Sequence, residues 1–225
     1  MAHAFLNRSF YLALLCAGMM LAVTSPARAE AEANANAYDV VENATQRIMA
    51  VVAQAPEYID EDPDRYYREL QAILDEVVDF SGFARGVMGP FASKGYYASL
   101  DADGKKELRE QAGRFTEEIR VGLVRTYGKG LLAFGGSRVE VQRPPTIDTT
   151  SNKESIVQLI YSDSEEPYVI HYQMRRSKSG QWKLRNLIVE SINLGQVYRN
   201  QFQAAARDAK GDLNVVIDNW STTEV

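Results

Sequence analysis

Side chains that could carry out chemistry are scarce in this chain of 225 residues. It contains one cysteine, Cys16, and two histidines, His3 and His171. A Ser-His-Asp site needs a histidine, and a zinc site needs three or four thiolate or imidazole ligands, more than His171 alone can supply beyond the amino-terminal 29 residues. Strand alternation places His171 on the more polar face of its strand, beside Val169 and Gln173. The composition therefore disfavours nucleophilic catalysis and zinc chemistry.

Carboxylates are the remaining candidates for catalysis or for a cation site. Acids cluster within residues 60–64 and 101–103, where each cluster precedes a helical pattern without completing a calcium-binding loop, so we expect helix capping. Glu190 differs, because it is the one acid within an otherwise apolar strand end. It is the best candidate for a perturbed carboxylate, and a salt bridge to a nearby arginine is the other interpretation. A periplasmic hydrolase using carboxylate catalysis near Glu190 stays open as an alternative function.

The amino-terminal residues have the pattern of a secretory signal peptide. Residues 9–27 carry no charge and centre on YLALLCAGMMLAV, and Ala27 and Ala29 supply the small residues of a cleavage site before Glu30. The apolar core is too short to span a membrane. We expect residues 1–29, which include Cys16 and His3, to be cleaved and residues 30–37 to form a flexible leader. Export without a remaining cysteine is typical of the periplasm of a Gram-negative bacterium, where the mature protein would be soluble.

Length and charge limit the mature chain further. Removal of two arginines with the signal peptide leaves 23 basic residues against 30 acidic ones, a net charge of −7. Nucleic acid is therefore disfavoured as a partner, as is permanent attachment to an anionic membrane surface. The size suits one domain over residues 38–220, followed by a short tail at 221–225.

Hydrophobic periodicity predicts helices first, a sheet second and helices again at the end. Helical patterns cover residues 38–55, 63–78, 80–88 and about 103–127, and they resume at about 193–205 and 213–220. Glycines at 128, 130, 135 and 136 end the long helix, either at Tyr127 or after one more turn through Leu131 and Phe134. Strand patterns cover residues 138–142, 156–161, 168–175 and 181–192. The order predicts an α+β fold with helices on one face of a curved antiparallel sheet of about four strands, enclosing an apolar cavity.

Apolar side chains are the strongest remaining signal, and an ordinary core or a lined cavity would both account for them. The helical candidates for a cavity lining are Phe80, Phe83, Met88, Phe91, Phe115 and Leu123. The strand candidates are Val157, Leu159, Tyr168, Ile170, Tyr172, Met174, Trp182, Leu184 and Ile192.

Several motifs resemble those of a known family. They are VDFSGFARGVMGPF with the following Tyr96-Tyr97, VRTYGKGL, GQWKLRNLIVESINLGQVYRNQF and GDLNVVIDNW. Together they make the mature chain similar to the periplasmic phospholipid-binding proteins of the MlaC, or toluene-tolerance, type. The chain departs from the family pattern at Asn186, where an acid is common, at Ser191 and at Asn193.

The resemblance implies a non-enzymatic lipid carrier that needs no cofactor and no metal, with phospholipid as its cargo. Such a carrier moves lipid between an outer-membrane lipoprotein–porin complex and an inner-membrane ABC transporter with its periplasmic substrate-binding subunit, and so maintains outer-membrane lipid asymmetry. We expect it to act as a monomer, with acyl chains between sheet and helices and the headgroup left in water. Arg175 and Arg176, in a basic hairpin with Lys178, Lys183 and Arg185, are the candidates for contact with the headgroup or with an acidic partner. Solvated strand charges are the simpler interpretation of that hairpin.

Overall fold

Seven α-helices and five β-strands are formed by the residues that the structure, a computed structural model, describes: 35–146, 150–161 and 166–220. The helices are α1 (Ala37–Gln54), α2 (Pro63–Val77), α3 (Phe80–Met88), α4 (Lys94–Ser99), α5 (Ala102–Leu131), α6 (Leu194–Asp208) and α7 (Leu213–Asp218). The strands are β1 (Arg138–Gln142), β2 (Lys153–Tyr161), β3 (Tyr168–Arg176), β4 (Trp182–Val189) and β5 (Ile192–Asn193). The predicted signal peptide, most of the leader and the tail at 221–225 lie outside the described residues.

Side-chain caps explain where several helices begin. The carboxylate of Asp62 accepts a hydrogen bond from the backbone N–H of Arg65 at 3.0 Å, and Asp101 accepts from Gly104 at 2.8 Å. These acids satisfy amides that have no partner within their own helix. The capping role predicted for both acidic clusters is confirmed for these two members.

The long helix α5 takes the further turn after Tyr127 that the sequence left open. It runs to Leu131. Gly128 lies inside it, its carbonyl accepts a hydrogen bond from the Tyr66 hydroxyl at 2.8 Å, and a β-carbon there would approach the Leu70 side chain to 3.1 Å. Gly128 therefore allows α2 to pack closely against α5 and does not end the helix.

The sheet is antiparallel, with the strands in the order β1-β2-β3-β4-β5. The predicted α+β arrangement is confirmed, but the strand count of four is corrected to five. The predicted strand over 181–192 is divided by a turn in which Glu190 has a φ of +56°. A positive φ is incompatible with a continuing strand, so β5 folds back to pair with β4.

Helix α1 covers one face of the sheet, which we call the inner face. Ile156 of β2 pairs with Tyr172 of β3 there, and both pack in one apolar cluster with α1. A polar network supports the contact, because Gln158 donates to Thr45 at 2.7 Å and accepts from the Tyr172 hydroxyl at 2.9 Å. Burial raises the pKa of Tyr172 well above its usual value, so the hydroxyl stays a donor at all ordinary pH values. We call this cluster, with Val141, Met174 and Trp182, the α1–sheet core.

A larger apolar cluster lies among α3, α5, α6 and α7, and we call it the helical core. Its aromatic centre is closely packed: the ring centroid of Phe115 lies 4.8 Å from that of Phe202 and 5.0 Å from that of Trp220. Phe115, Tyr198 and Phe202 are completely buried. The strand residues Leu187 and Val189 pack against this cluster, which fixes α3 and α6 beside β4.

Candidate functional site

A cavity of about 650 Å³ lies between the sheet and two helices, and we call it the sheet–helix cavity. Strands β2, β3 and β4 form one side, while α3 and the amino-terminal part of α6 form the other. Its lining comprises Gly82, Phe83, Gly86, Val87, Lys153, Glu154, Ser155, Gln173, Met174, Arg175, Arg185, Asn186, Asn193, Gly195, Gln196 and Arg199. The volume falls in the range of roughly 300–1,000 Å³ that is usual for small-molecule sites.

The structure brings together only a few of the residues that the sequence suggested for a cavity lining. Phe83 and Met174 line the sheet–helix cavity, and so does Arg175. Five helical candidates lie in or against the helical core: Phe80, Met88, Phe91, Phe115 and Leu123. Three strand candidates belong to the α1–sheet core: Tyr172, Trp182 and Leu184.

The remaining strand candidates are divided between the two faces of the sheet. Val157 pairs with His171, and Leu159 pairs with Val169, so both lie on the face opposite Tyr172. Ile170 is half-buried. Tyr168 and Ile192 are 44% and 45% exposed at strand ends. Alternation within one strand could not show which face its neighbour would share, because the register between strands was unknown. A direct contact between cargo and these fifteen apolar residues stays a prediction.

Cations dominate the charged part of the cavity lining. Lys153, Arg175, Arg185 and Arg199 contribute four positive charges against the one carboxylate of Glu154. Two of the four have partners in the fold: Arg185 forms an ion pair with Asp79 at 2.5 Å, and the Nε of Arg199 donates to the Gly86 carbonyl at 2.8 Å. These two arginines hold α3 against β4 and α6.

The other two cations are less constrained. Across the parts of the chain that the structure describes, the side chains of Lys153 and Arg175 form no hydrogen bond or ion pair, and both are exposed at the cavity. Lys153 lies directly opposite Arg175 in the β2–β3 register, and Arg175 lies opposite Lys183 of β4. We call Lys153, Arg175 and Lys183 the cation row. The Lys183 ammonium donates to the Glu76 carbonyl, so Lys153 and Arg175 are the two without a side-chain partner among the described residues. Like charges that face each other across strands destabilise a sheet, so this pair favours an external anion.

Arg176, the second arginine predicted to meet a headgroup or partner, lies elsewhere. Its guanidinium is 5.6 Å from the centroid of the Trp182 ring, in the α1–sheet core, and it does not line the cavity. Successive side chains of a strand point to opposite faces, which separates Arg176 from Arg175. The structure therefore places one of the two arginines at the site.

Two glycines allow polar side chains of β4 to reach the helices beside the cavity. A β-carbon at Gly82 would lie 2.2 Å from the guanidinium carbon of Arg185, and one at Gly195 would lie 2.6 Å from the Oδ1 of Asn186. Asn186 accepts from the Gly195 amide and donates to the Asn193 side chain, each at 2.9 Å. The departures from the family pattern at 186 and 193 are thus hydrogen-bonded partners that join β4 to the start of α6.

The acid that the sequence suggested for catalysis lies in a different environment from the one predicted. Glu190 is exposed in the β4–β5 turn, not inside an apolar strand end, so that prediction of its surroundings is wrong. Its Oε1 accepts a hydrogen bond from the Val169 amide at 2.6 Å, which stabilises the turn. Within residues 35–146, 150–161 and 166–220 there is no group of three or more His, Cys, Asp or Glu side chains placed to hold a metal ion.

Within the same described ranges, no helix combines the length and the apolar character that a membrane crossing requires. The three long helices α1, α2 and α5 all carry charged residues along their exposed faces.

Three comparisons relate the chain to known proteins. The family model described as MlaC protein matches residues 42–222. The chain is 28% identical over 184 residues to toluene tolerance protein ttg2D of Pseudomonas putida, covering 82% of this chain and 79% of that one. Its fold is similar to that of a phospholipid-binding protein from Ralstonia solanacearum solved in complex with a phospholipid, with a TM-score of 0.67, 17% identity, and coverage of 82% of this chain and 94% of the other. Since the family model spans most of the sequence, the chain belongs to the MlaC protein family.

Proposed function

We propose that this protein is a periplasmic phospholipid carrier. The observation that carries the proposal is the sheet–helix cavity, in a fold shared with a Ralstonia solanacearum protein that was solved with a phospholipid bound. The match to the toluene tolerance protein ttg2D and the MlaC family model support the same function. The chemistry is binding and release, with no bond made or broken.

Such a carrier lowers the free energy of a lipid in transit by burying its acyl chains away from water. Moving one methylene out of water is favourable by about 0.8 kcal/mol. A lipid with about thirty methylenes therefore has an unfavourable free energy on the order of 20 kcal/mol when its chains are exposed to water. The apolar part of the cavity is formed by Phe83, Val87 and Met174, behind which lie the helical core and the α1–sheet core. Acyl chains would enter between these layers, where the flexible thioether of Met174 can adjust to chains of different shape.

The route of the cargo follows from the family resemblance. The carrier would exchange lipid with an outer-membrane lipoprotein–porin complex on one side and an inner-membrane ABC transporter on the other, and so maintain lipid asymmetry of the outer membrane. Exchange between a membrane and an apolar site is close to neutral in free energy, so direction would come from the partners. ATP use by the transporter is the natural source.

Co-purification tests the proposal directly. The mature chain, residues 30–225, is purified and extracted with organic solvent, and the extract is analysed for phospholipid by mass spectrometry. We expect phospholipid in amounts comparable to the protein. Repeated absence of lipid, together with failure of the purified chain to take lipid from vesicles, would contradict the carrier function.

A matched pair of variants tests whether the sheet–helix cavity holds the cargo. A β-carbon at Gly86 meets nothing within 4 Å, and Gly86 lines the cavity, so Gly86→Trp fills the cavity without a clash at its base. Gly113 of α5 has the same open surroundings away from the cavity, so Gly113→Trp is the control. We expect lipid uptake to fall at least about tenfold in Gly86→Trp and to be unchanged in Gly113→Trp, with circular dichroism reporting that both fold. Equal uptake by the two variants would exclude this cavity.

A further inference from the structure

The charge of the sheet–helix cavity is unusual for a site that holds only hydrocarbon. Its four cations exceed its one acid, and most of its other lining side chains are polar. Cationic and polar side chains do not stabilise bound acyl chains, but they do stabilise a bound anion. This part of the cavity requires a different explanation from its apolar wall at Phe83, Val87 and Met174.

The geometry of Lys153 and Arg175 suits a single multivalent anion. They face each other across neighbouring strands, where opposite side chains have β-carbons about 5 Å apart. Neither side chain has a partner among the residues that the structure describes. One phosphate group, with several acceptor oxygens, can bridge the two and remove their mutual repulsion. The planar guanidinium of Arg175 can bind two oxygens at once, while the lysine acts as a point charge.

Arg199 adds a third cation from the opposite wall. Its Nε is fixed by the Gly86 carbonyl at 2.8 Å, so the guanidinium is held at the cavity with no loss of its Nη donors to that bond. Arg185 is already neutralised by Asp79 and serves mainly to hold α3 in place. The cations available to a ligand are therefore Lys153, Arg175 and Arg199.

We propose that Lys153, Arg175 and Arg199 form a phosphate subsite inside the sheet–helix cavity that binds the phosphodiester of the cargo directly. The inference rests on the proposed carrier function and deepens it. The phosphate then contacts the exposed side chains of Lys153 and Arg175, while the rest of the headgroup faces water as the family resemblance implies. The subsite favours lipids with a net negative headgroup over zwitterionic ones, because a quaternary ammonium group would meet the same three cations. Lipids without phosphate lose the contact.

A competition experiment tests the subsite. The mature chain is offered vesicles that contain phosphatidylglycerol and phosphatidylcholine with identical acyl chains, and the captured lipid is quantified by mass spectrometry. We expect phosphatidylglycerol to be preferred about tenfold at low salt, with the preference reduced at high salt. Diacylglycerol with the same chains should be captured less than either phospholipid.

The variants Arg175→Gln and Lys153→Gln should each lower the ratio of captured phosphatidylglycerol to phosphatidylcholine toward a value of one. Lys178→Gln is the matched control, because Lys178 lies in the same basic hairpin but does not line the cavity. Its preference should equal that of the unchanged chain. Equal capture of the two phospholipids by the unchanged chain, or an undiminished preference in Arg175→Gln, would overturn the subsite and leave the carrier function standing. Failure to capture any lipid would instead overturn the carrier function.

Calorimetry with inorganic phosphate separates a lipid site from a site for free phosphate. We expect millimolar or weaker binding of inorganic phosphate, because the ion lacks the acyl chains that the carrier function requires. Micromolar binding of inorganic phosphate, with no preference among lipids, would overturn the proposal in favour of a free-phosphate site.

Discussion

The helical core and the sheet–helix cavity lie side by side, but the core consists of packed apolar side chains and the cavity is lined mainly by polar and charged ones. In the helical core, Phe115, Tyr198 and Phe202 are completely buried and packed ring against ring. In the cavity, Lys153 and Arg175 face each other without a partner among the described residues. One region is filled by its own apolar side chains, and the other presents two cationic side chains that are available to a ligand. The difference separates the residues that stabilise the fold from those that we expect to bind.

The largest expected effect lies in the helical core. Phe115→Ala removes a ring that contacts Phe202 and Trp220, and it should lower the free energy of unfolding by about 3–5 kcal/mol. Urea denaturation followed by circular dichroism measures the change. Val215→Ala is the control, since Val215 is 47% exposed, and it should change stability by no more than about 0.5 kcal/mol. A loss below about 1 kcal/mol for Phe115→Ala would mean that the two regions do not differ as described.

The next largest effect on stability is expected at Gly82, which lies in α3 between the helical core and the cavity. Alanine for glycine in a helix interior normally stabilises by up to about 1 kcal/mol, and Gly113→Ala in α5 should do so. Gly82→Ala should instead destabilise by about 1–3 kcal/mol, because its β-carbon would collide with the guanidinium of Arg185 and with the Asp79 carboxylate that pairs with it. A double-mutant cycle with Arg185→Ala checks the cause, since the two losses should be strongly non-additive. Additive losses would show that the guanidinium is not the obstacle.

The buried hydroxyl of Tyr66, between α2 and α5, predicts that stability depends on pH. Burial raises the pKa of Tyr66 to about 12, above its unfolded value near 10. The stabilising contribution is complete below pH 10 and is lost as the pH rises from 10 to 12, by about 1.4 kcal/mol per pH unit at most. Tyr66→Phe should cost about 1 kcal/mol at neutral pH, through the lost hydrogen bond to Gly128, and should flatten the alkaline decline. An equally steep decline in the variant would assign the effect to another group.

The smallest effect is expected at the cation row. Arg175→Gln removes the charge that opposes Lys153 in the register, so stability should stay the same or rise by a few tenths of a kcal/mol at low salt. The same denaturation measurement applies, with Lys178→Gln as the control. A clear loss of stability in Arg175→Gln would show that the arginine supports the fold, which would remove the distinction between the two regions.

The sequence predicted the helical side more completely than the cavity. The helical pattern that contains Phe115 and the acidic clusters that supply the caps Asp62 and Asp101 are local, and a local pattern can be recognised within one segment. The cavity depends on relations between segments. The opposition of Lys153 to Arg175 requires the register of two strands, and the turn at Glu190 converts one predicted strand into two. Arg199 reaches the cavity only because α6 folds back beside α3, which no short-range pattern encodes.

Gly82 also limits the order in which this sequence can change over generations. Any larger residue at position 82 is opposed while arginine occupies position 185, and Arg185 in turn neutralises Asp79. A side chain at 82 would also lie 2.5 Å from the Asp79 carboxylate, so a lineage that acquires one has to move or replace both partners of this ion pair. Positions 79 and 82 at the start of α3 and position 185 on β4 therefore form one unit that changes together.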